Sequence, residues 1–342
     1  MLRFPAIMSE SKQMTVFRAF LVTLPLHRPI PVGAAMWSKR PVVLLRGEDS
    51  DGQVAWGEAA PLDGYGPDGI DDVLAALSAP GWEKEAMPPS LACAVGTIRM
   101  GLLTPGGARP APPPDVSTLT SAVLDPDNDL TIASHVKIKV GRDDVSREAE
   151  RILAIAGKHP HLRIRLDANG LLTREAAMQL VDALGEVRTR IDYFEEPWEG
   201  CFHEDMRGVL PFRVAIDESL DGDNWRNADV CVIKPSLMGD PAVTLDFAKG
   251  IQSSGRRVSV SSAFESRIGM TLITWLAARI GDAAPGLGTY RFIADDWGGR
   301  PSCWDTPTID LDELPAGVPS LESVDRLPFR ASSGLTVEEV TA

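Results

Sequence analysis

Residues 163–197 read RIRLDANGLLTREAAMQLVDALGEVRTRIDYFEEP, and this stretch decides the fold class. It contains two short runs with strand propensity, Arg163–Asp167 and Ile191–Glu195. Between them lies a helical pattern over Thr173–Leu184, whose first residue can cap the helix and which Gly185 can end. A strand, a helix and a second strand in this order are typical of a parallel βα unit.

The same alternation continues on both sides of this stretch. Eight strands are predicted, at Leu119–Leu124, His135–Val140, Arg163–Asp167, Ile191–Glu195, Arg213–Asp217, Val230–Lys234, Val258–Ser262 and Gly288–Ile293. Helical patterns separate them, so the sequence predicts an α/β fold over residues 116–304. Eight units in so short a span predict a (β/α)8-type barrel, trimmed to (β/α)7β.

The preceding residues, 14–115, have a mixed pattern that predicts an α+β capping domain. Its β-like runs are Thr15–Leu24 and Pro41–Arg46, and turn residues at 48–52 favour a hairpin after the second run. Its helical patterns are Ile70–Leu77 and Leu91–Leu103, and the second begins with small residues that permit close packing.

Composition marks the ends of these units. The Pro- and Gly-rich segment Thr104–Pro114 removes helix and ladder hydrogen bonding, which predicts a domain boundary there. We expect residues 1–13 to be a disordered leader. The Pro-rich and acidic residues 305–342 are expected to fold back and complete the capping domain.

Charge and cysteine content exclude several classes of partner. The 342-residue chain has a net charge of −14, so its field would repel a nucleic acid backbone. Its four cysteines are scattered without a CxxC pair, which favours neither a zinc site nor disulfides and fits a reducing cytoplasm. No apolar run reaches the roughly 20 residues of a membrane span. A small molecule is the expected partner, and the oligomeric state stays open.

Five consecutive predicted strands each end in a charged residue. In chain order these residues are Lys139, Asp167, Glu195, Asp217 and Lys234. Active sites of such barrels lie at the carboxyl ends of the strands, so the five side chains are expected to converge. Each acid alone could instead form a local salt bridge or cap a following helix.

Three convergent carboxylates are suitable ligands for a hard divalent cation such as Mg²⁺. Lys137 precedes Lys139 by two residues, so strand alternation points it to the same face, one layer deeper. A lysine near a cation and another lysine has its neutral form favoured, as a general base requires. Lys137 could also simply compensate a buried carboxylate.

Five short motifs follow one another along these strands. They are Lys137-Ile-Lys-Val-Gly141, Leu166-Asp-Ala-Asn169, Glu195-Glu-Pro197, Asp217-Glu-Ser219 and Ile233-Lys-Pro235. This ordered set resembles the muconate-lactonising subgroup of the enolase superfamily, and the resemblance covers roughly residues 14–296. In that superfamily, a lysine or histidine base works beside Mg²⁺.

The resemblance implies a role for each matching residue. It implies metal ligands at Asp167, Glu195 and Asp217 for Mg²⁺, with Mn²⁺ as a substitute, an acid/base lysine at Lys139 and a second lysine at Lys234. Substrate-binding or supporting positions would be Lys137, Asn169, Glu218, Ser261 and Ser262. The two serines could instead bond to neighbouring backbone, and Glu196 makes the second ligand ambiguous by one residue.

Four further segments, 56–62, 233–239, 261–269 and 284–288, are most similar to subgroup members that dehydrate a succinyl-substituted hydroxycyclohexadiene carboxylate in quinone biosynthesis. The implied reaction is loss of water to give an aromatic ring. The Asp-x-Asp pattern of the subgroup's dipeptide epimerases is missing from residues 286–292, which argues against that activity.

Other functions remain open at this point. An N-acylamino acid racemase or lactonising enzyme could use the same two lysines, a class I aldolase could form a Schiff base on one of them, and a binding module could keep the barrel without catalysis. The segment Pro29–Trp37 is predicted to be a flexible loop whose apolar surface covers the substrate.

Overall fold

The computed structural model describes residues 14–32, 35–101, 118–120, 123–124, 130–296, 303–311 and 336–340. The predicted leader and the Thr104–Pro114 segment lie outside these residues. Of the helices that these ranges contain, none has the length and apolar content needed to cross a bilayer.

An antiparallel sheet begins the fold. Its strands β1 (Met14–Val32), β2 (Ala35–Asp49) and β3 (Val54–Ala59) are neighbours in chain order. The predicted hairpin after the second strand is confirmed, and Asp49 fixes its turn because its Oδ1 accepts from the backbone N–H of Asp51 at 2.9 Å and of Gln53 at 2.8 Å.

Two helices, α1 (Ile70–Leu77) and α2 (Pro89–Arg99), follow and bury apolar residues of the sheet. Both were predicted, although α2 begins two residues earlier and ends four residues earlier than its pattern. The expected close packing of α2 is confirmed at Gly57 of β3. A Cβ atom there would lie 2.1 Å from the carbonyl oxygen of Ala94, so only glycine fits this position.

The chain then forms the short strand β4 (Thr118–Thr120) and a seven-stranded parallel sheet. The parallel strands are β5 (Val123–Leu124), β6 (His135–Lys139), β7 (Arg163–Asp167), β8 (Ile191–Glu195), β9 (Arg213–Ile216), β10 (Val230–Ile233) and β11 (Arg257–Val260). Their spatial order equals their chain order, so the carboxyl ends of all seven lie at one edge, here called the carboxyl edge.

Helices connect or follow four of these strands: α3 (Val145–Lys158), α4 (Arg174–Ala183), α5 (Pro241–Ser253) and α6 (Arg267–Ile280). Thr173 caps α4 as predicted, because its side chain accepts from the backbone N–H of Ala176. The α/β fold class with an antiparallel amino-terminal sheet is therefore confirmed. The edge strands β5 and β11 do not pair with each other within the described ranges, so the structure shows a parallel half-barrel sheet.

Two of the eight predicted strands match the structure to the residue, and four differ by one or two residues at their ends. The remaining two need a larger correction. Gly288–Ile293 is wrong, because residues 288–292 form a 3₁₀ helix. Thr289 explains the difference: its Oγ1 lies 2.6 Å from Ser262 Oγ and accepts from the backbone N–H of Phe264 at 3.0 Å, which draws the segment into a turn. The predicted strand Leu119–Leu124 is divided, and only β5 joins the parallel sheet.

The last strands return to earlier parts of the chain. β12 (Thr308–Asp310) pairs antiparallel with β4, and β13 (Thr336–Val340) pairs antiparallel with β1. The amino-terminal sheet thus has four strands in the order β13-β1-β2-β3. The boundaries 14–115, 116–304 and 305–342 stay predictions.

The amino-terminal unit is attached to the parallel sheet through buried polar groups. Glu58 of β3 accepts hydrogen bonds from the backbone N–H of Ser266 at 2.9 Å and of Gly269 at 2.8 Å, and also from Ser266 Oγ. These donors lie at the N-cap residue Ser266 and in the first turn of α6, where a carboxylate is favoured by the helix dipole. Burial raises the pKa of Glu58 to about 7 even though these hydrogen bonds lower it.

We expect Glu58→Ala to lower the free energy of unfolding by about 2 kcal/mol, because it leaves buried donors of α6 without an acceptor. Urea unfolding followed by circular dichroism measures the change. The exposed acid Glu150 on α3 provides the control, and its replacement by alanine should change the free energy by less than about 0.5 kcal/mol. Equal effects of the two substitutions would show that Glu58 does not secure this interface.

Candidate active site

The five charged residues predicted to converge do lie at the carboxyl edge. Lys139, Asp167 and Glu195 are the last residues of β6, β7 and β8, and the ladder pairs Lys139 with Asp167 and Asp167 with Glu195. Asp217 and Lys234 directly follow β9 and β10. The strand order therefore places the three carboxylates in a row, with one lysine at each end.

Each terminal lysine contacts the nearest carboxylate. Lys139 Nζ lies 2.6 Å from Asp167 Oδ2 and donates to Asn169 Oδ1 at 2.7 Å. Lys234 Nζ donates to Asp217 Oδ1 and, at 2.7 Å, to the hydroxyl of Tyr65. A ligand between these lysines would meet an ammonium group on each side.

Lys137 lies deeper than Lys139, as strand alternation predicts. Its Nζ is 2.6 Å from both Asp167 Oδ2 and Glu195 Oε1, and its side chain is 14% exposed compared with 37% for Lys139. Burial lowers the pKa of Lys137, but Asp167 and Glu195 outweigh it and raise this pKa well above the usual value. Lys137 thus compensates two buried carboxylates, which was one of its two expected roles.

The expectation of a favoured neutral lysine applies to a lysine beside a bound divalent cation, and it stays a prediction. Burial lowers the pKa of Lys234, but the charges of Asp217 and Glu218 raise this pKa by more than burial lowers it, so the net shift is upward. Carboxylates at hydrogen-bonding distance thus favour the charged form of Lys137 and Lys234, and a bound cation would act in the opposite direction.

The carboxylates are arranged to accept a cation. Asp167 and Glu195 are fully buried, and burial together with repulsion from Asp167 raises the pKa of Glu195 well above its usual value. Glu195 Oε2 is buried and has no hydrogen-bond partner among the described residues. One oxygen each from Asp167, Glu195 and Glu218 lie within 4.8 Å of one another. A buried acceptor without a donor, inside a compact set of oxygens, fits a hard divalent cation.

The third acid of this compact set differs from the predicted one. Asp217 was predicted, but its carboxylate accepts from Lys234 and, at 3.4 Å, from the hydroxyl of Tyr65. The Asp217 carboxylate also lies at hydrogen-bonding distance from Glu195. Glu218 contributes the oxygen that lies within 4.8 Å of both Asp167 and Glu195, and its Oε1 accepts from Asn169 Nδ2 at 2.5 Å. Asp217 as the third ligand stays a prediction, with Glu218 as its alternative.

Glu196 has a different position from Glu195. Its Oε1 accepts from the backbone N–H of Asp217 at 2.7 Å and of Ser219 at 3.1 Å, and Ser219 Oγ also donates to it. Burial raises the pKa of Glu196 to about 7. Glu196 therefore holds the turn that carries Asp217, while Glu195 contacts Lys137 beside Asp167.

Ser261 and Ser262 follow β11 at the same edge. Ser262 Oγ lies 3.1 Å from the carbonyl oxygen of Gly286 and 2.6 Å from Thr289 Oγ1, and Ser261 Oγ lies 3.4 Å from the Gly286 carbonyl oxygen. These contacts match the alternative in which the serines bond to neighbouring groups. Their contact with a substrate carboxylate stays a prediction.

The predicted loop Pro29–Trp37 is wrong where the structure describes it. Ile30 pairs with Trp37 and Val32 with Ala35, so β1 and β2 continue as a hairpin, and residues 33 and 34 lie outside the described residues. Ile30 and Val32 pack with Leu62 and Ala263 in one apolar cluster. The hairpin therefore brings apolar surface from the amino-terminal unit to the segment that follows β11.

Sequence reasoning missed Tyr65. It lies after β3 in the segment Asp63-Gly-Tyr-Gly66, and its hydroxyl contacts both Lys234 and Asp217. The available signal was an aromatic residue between two glycines, directly after the Trp56–Leu62 motif. Burial, followed by the charge of Asp217, raises the pKa of Tyr65, so the phenol stays neutral.

The parallel sheet with its acidic edge has known relatives. Residues 129–292 match the family model described as enolase C-terminal domain-like. The o-succinylbenzoate synthase of Escherichia coli O6:K15:H31 is 28% identical over 300 residues, which cover 80% of this chain and 89% of that protein. That of Thermosynechococcus vestitus is 26% identical and covers 73% and 84% of the two chains.

Solved structures agree on the fold. The o-succinylbenzoate synthase from Thermosynechococcus elongatus BP-1, complexed with Mg in the active site, has a TM-score of 0.66 at 23% identity over 84% of this chain and 98% of that chain. A substrate-liganded L-Ala-D/L-Glu epimerase from Bacillus subtilis has a TM-score of 0.67 at 20% identity, over 83% and 92%. With the acidic group at the carboxyl edge, these findings support Mg²⁺ as the cofactor.

We expect Asp167→Asn and Glu195→Gln to weaken Mn²⁺ binding by at least about 100-fold, because loss of a ligand exceeds the 10–100-fold effect of losing an outer partner. Isothermal titration calorimetry measures the affinity, with the exposed Asp205→Asn as control. Wild-type affinity in both variants would contradict the proposed centre.

The third ligand is tested by the pair Asp217→Asn and Glu218→Gln. The prediction from the sequence is a larger loss of Mn²⁺ affinity for Asp217→Asn, with the far-ultraviolet circular dichroism unchanged because the residue lies at a strand end. A larger loss for Glu218→Gln would assign the ligand to Glu218 instead.

Proposed function

We propose that this chain catalyses the o-succinylbenzoate synthase reaction. The substrate would be 2-succinyl-6-hydroxy-2,4-cyclohexadiene-1-carboxylate, and loss of water would give o-succinylbenzoate, a step of menaquinone-type quinone biosynthesis. The observation that carries the proposal is the row of carboxylates between Lys139 and Lys234 at the carboxyl edge. The names of the sequence relatives support it.

The chain's own groups divide the work between the two lysines. Lys139, once neutral, removes the proton from the carbon next to the substrate carboxylate. The protonated lysine then donates this proton to the departing hydroxyl on the same face, so that water leaves and the ring becomes aromatic. The cation, when bound by Asp167, Glu195 and Asp217 or Glu218, supplies Lewis-acid stabilisation of developing negative charge.

Lys234 faces the substrate from the other end of the row. Its ammonium group would hold the ring and the developing charge by electrostatic and cation–π attraction, which is generally about 0.5–2 kcal/mol. Because the fold neighbours share this arrangement of strands, we infer that the half-barrel sheet closes as a (β/α)7β barrel around the substrate. We expect the enzyme to work in the cytoplasm on this small carboxylate.

An N-acylamino acid racemase is the alternative. A lysine at each end of the carboxylate row could exchange a proton on either face of a carbon acid, and the fold neighbours include a racemase and epimerases. Incubation of each N-succinylamino acid enantiomer in D₂O separates the two functions. The dehydratase proposal expects exchange to be slow compared with aromatisation of the cyclohexadiene.

Chelation should abolish aromatisation, and Mg²⁺ or Mn²⁺ should restore it, because both are hard cations suited to oxygen ligands. The increase in ultraviolet absorbance of the aromatic product measures the rate. Full activity in excess chelator would exclude the proposed cofactor. A chain that consumes no cyclohexadiene at any cation concentration would exclude the dehydratase function.

We expect Lys139→Ala to abolish proton transfer, a contribution of about 10²–10⁴-fold or more in rate. Lys234→Arg should retain more activity than Lys234→Ala because the guanidinium keeps the charge. Deuterium exchange at the acidic carbon should disappear in the Lys139 variant alone. Lys249→Ala, on the exposed face of α5, is the matched control.

The opposite pattern has a defined meaning. Exchange that persists in Lys139→Ala and disappears in Lys234→Ala would assign the base to Lys234, and the reaction would then begin on the other face of the ring.

A further inference from the structure

The contact between Tyr65 and Lys234 joins the two units of the protein. Tyr65 belongs to the segment after β3, whereas Lys234 directly follows β10 of the parallel sheet. Lys234 Nζ donates to the Tyr65 hydroxyl at 2.7 Å, and the same Nζ lies 4.8 Å from the centroid of the Tyr65 ring. We propose that Tyr65 is a positioning residue for Lys234, an inference that rests on the proposed function for the role of this lysine.

Two different parts of one side chain contact the ammonium group. The hydroxyl is a hydrogen-bond acceptor for Lys234 and can direct its own proton to Asp217 Oδ2, 3.4 Å away. The ring adds cation–π attraction to the same Nζ. A lysine side chain has a flexible four-carbon stem, so contacts at its end are needed to fix the position of the charge. Tyr65 provides two such contacts and carries no charge itself.

Tyr65 is held in place by its own segment. Its backbone N–H donates to the carbonyl oxygen of Leu62 at 2.9 Å, and that of Gly66 donates to the same oxygen at 2.7 Å. A Cβ atom on Gly66 would lie 3.3 Å from the side chain of Leu237, three residues after Lys234. The turn that carries Tyr65 therefore lies against the loop that carries Lys234.

Arg40 connects this turn to the parallel sheet. Its buried guanidinium donates to the carbonyl oxygens of Ala60 at 2.9 Å and of Pro61, and also to that of Ala263 at 3.3 Å. The segment leading to Tyr65 is thereby joined to the residues after β11. Docking of the amino-terminal unit thus determines where Tyr65, and through it the charge of Lys234, is placed.

The two lysines of the row differ in this respect. The described side-chain partners of Lys139 are Asp167 and Asn169, both of which follow or end β7. Lys234 has one partner on the parallel sheet, Asp217, and one on the amino-terminal unit. This asymmetry suits a division of labour in which Lys139 moves a proton and Lys234 supplies a fixed charge.

Tyr65→Phe keeps the ring and removes the hydroxyl, so it tests the hydrogen bond alone. We expect kcat for aromatisation to fall about 10-fold and KM to change by less than about 2-fold. The hydrogen bond fixes a charge that is needed mainly in the transition state, so its loss lowers kcat and leaves KM nearly unchanged. Tyr65→Leu removes both contacts and should lower kcat further. The control for the loss of a buried phenol is Tyr290→Phe, because the Tyr290 hydroxyl donates a hydrogen bond to Asp296.

A second readout does not depend on turnover. Lysines labelled with ¹³C at Cε give resonances that report the surroundings of each ammonium group, and Lys139→Arg and Lys234→Arg assign the two signals. We expect Tyr65→Phe to shift the Lys234 signal and to leave the Lys139 signal unchanged. A merely structural role for Tyr65 would move neither signal selectively.

The outcomes separate this inference from the proposed function. An unchanged Lys234 signal together with an unchanged kcat in Tyr65→Phe would overturn the positioning role. A selective shift of the Lys234 signal in a protein that aromatises no cyclohexadiene would support the contact and refute the dehydratase function. A selective shift with a lower kcat supports both.

Discussion

Carboxylates buried side by side repel one another, and such a group is stable only when positive charge lies between its members. Asp167 and Glu195 are fully buried on neighbouring strands, and the ammonium group of Lys137 lies 2.6 Å from an oxygen of each. This triad is the constraint on which the rest of the carboxyl edge depends. It requires a lysine one layer below the edge, and among the described residues it leaves Glu195 Oε2 without a donor.

The same constraint explains why the site is suited to a dication. Lys137 contacts one oxygen of each carboxylate. Burial and then repulsion from Asp167 raise the pKa of Glu195, and a cation bound to the same carboxylates would relieve this repulsion. The outer lysines, Lys139 and Lys234, complete the charge balance at the two ends of the row. The amino-terminal unit enters this balance through Tyr65, so the charged row is not a property of the parallel sheet alone.

Much of this arrangement could be predicted from the sequence because parallel strands put their carboxyl ends at one edge. The strand ends at Asp167 and Glu195 were located to the residue, and β6 ends at Lys139, one residue before the predicted end. The third acid could not be decided in this way. Asp217 and Glu218 are adjacent in the sequence, and the structure brings both carboxylates close to Glu195.

The remaining errors come from side-chain contacts between distant segments. Residues 288–292 have strand-like composition, but hydrogen bonds of Thr289 to the loop after β11 make them a 3₁₀ helix. The segment 29–37 resembles a loop because it contains proline and glycine, yet pairing extends along it. Tyr65 gave no periodic or charge pattern, and only docking of the two units reveals its role.

The most direct test of this account is a crystal structure of the chain soaked with Mn²⁺, measured with anomalous scattering. The account predicts an anomalous peak at the carboxyl edge, bounded by oxygens of Asp167 and Glu195. A Mn²⁺ peak only at another place in the molecule would contradict it.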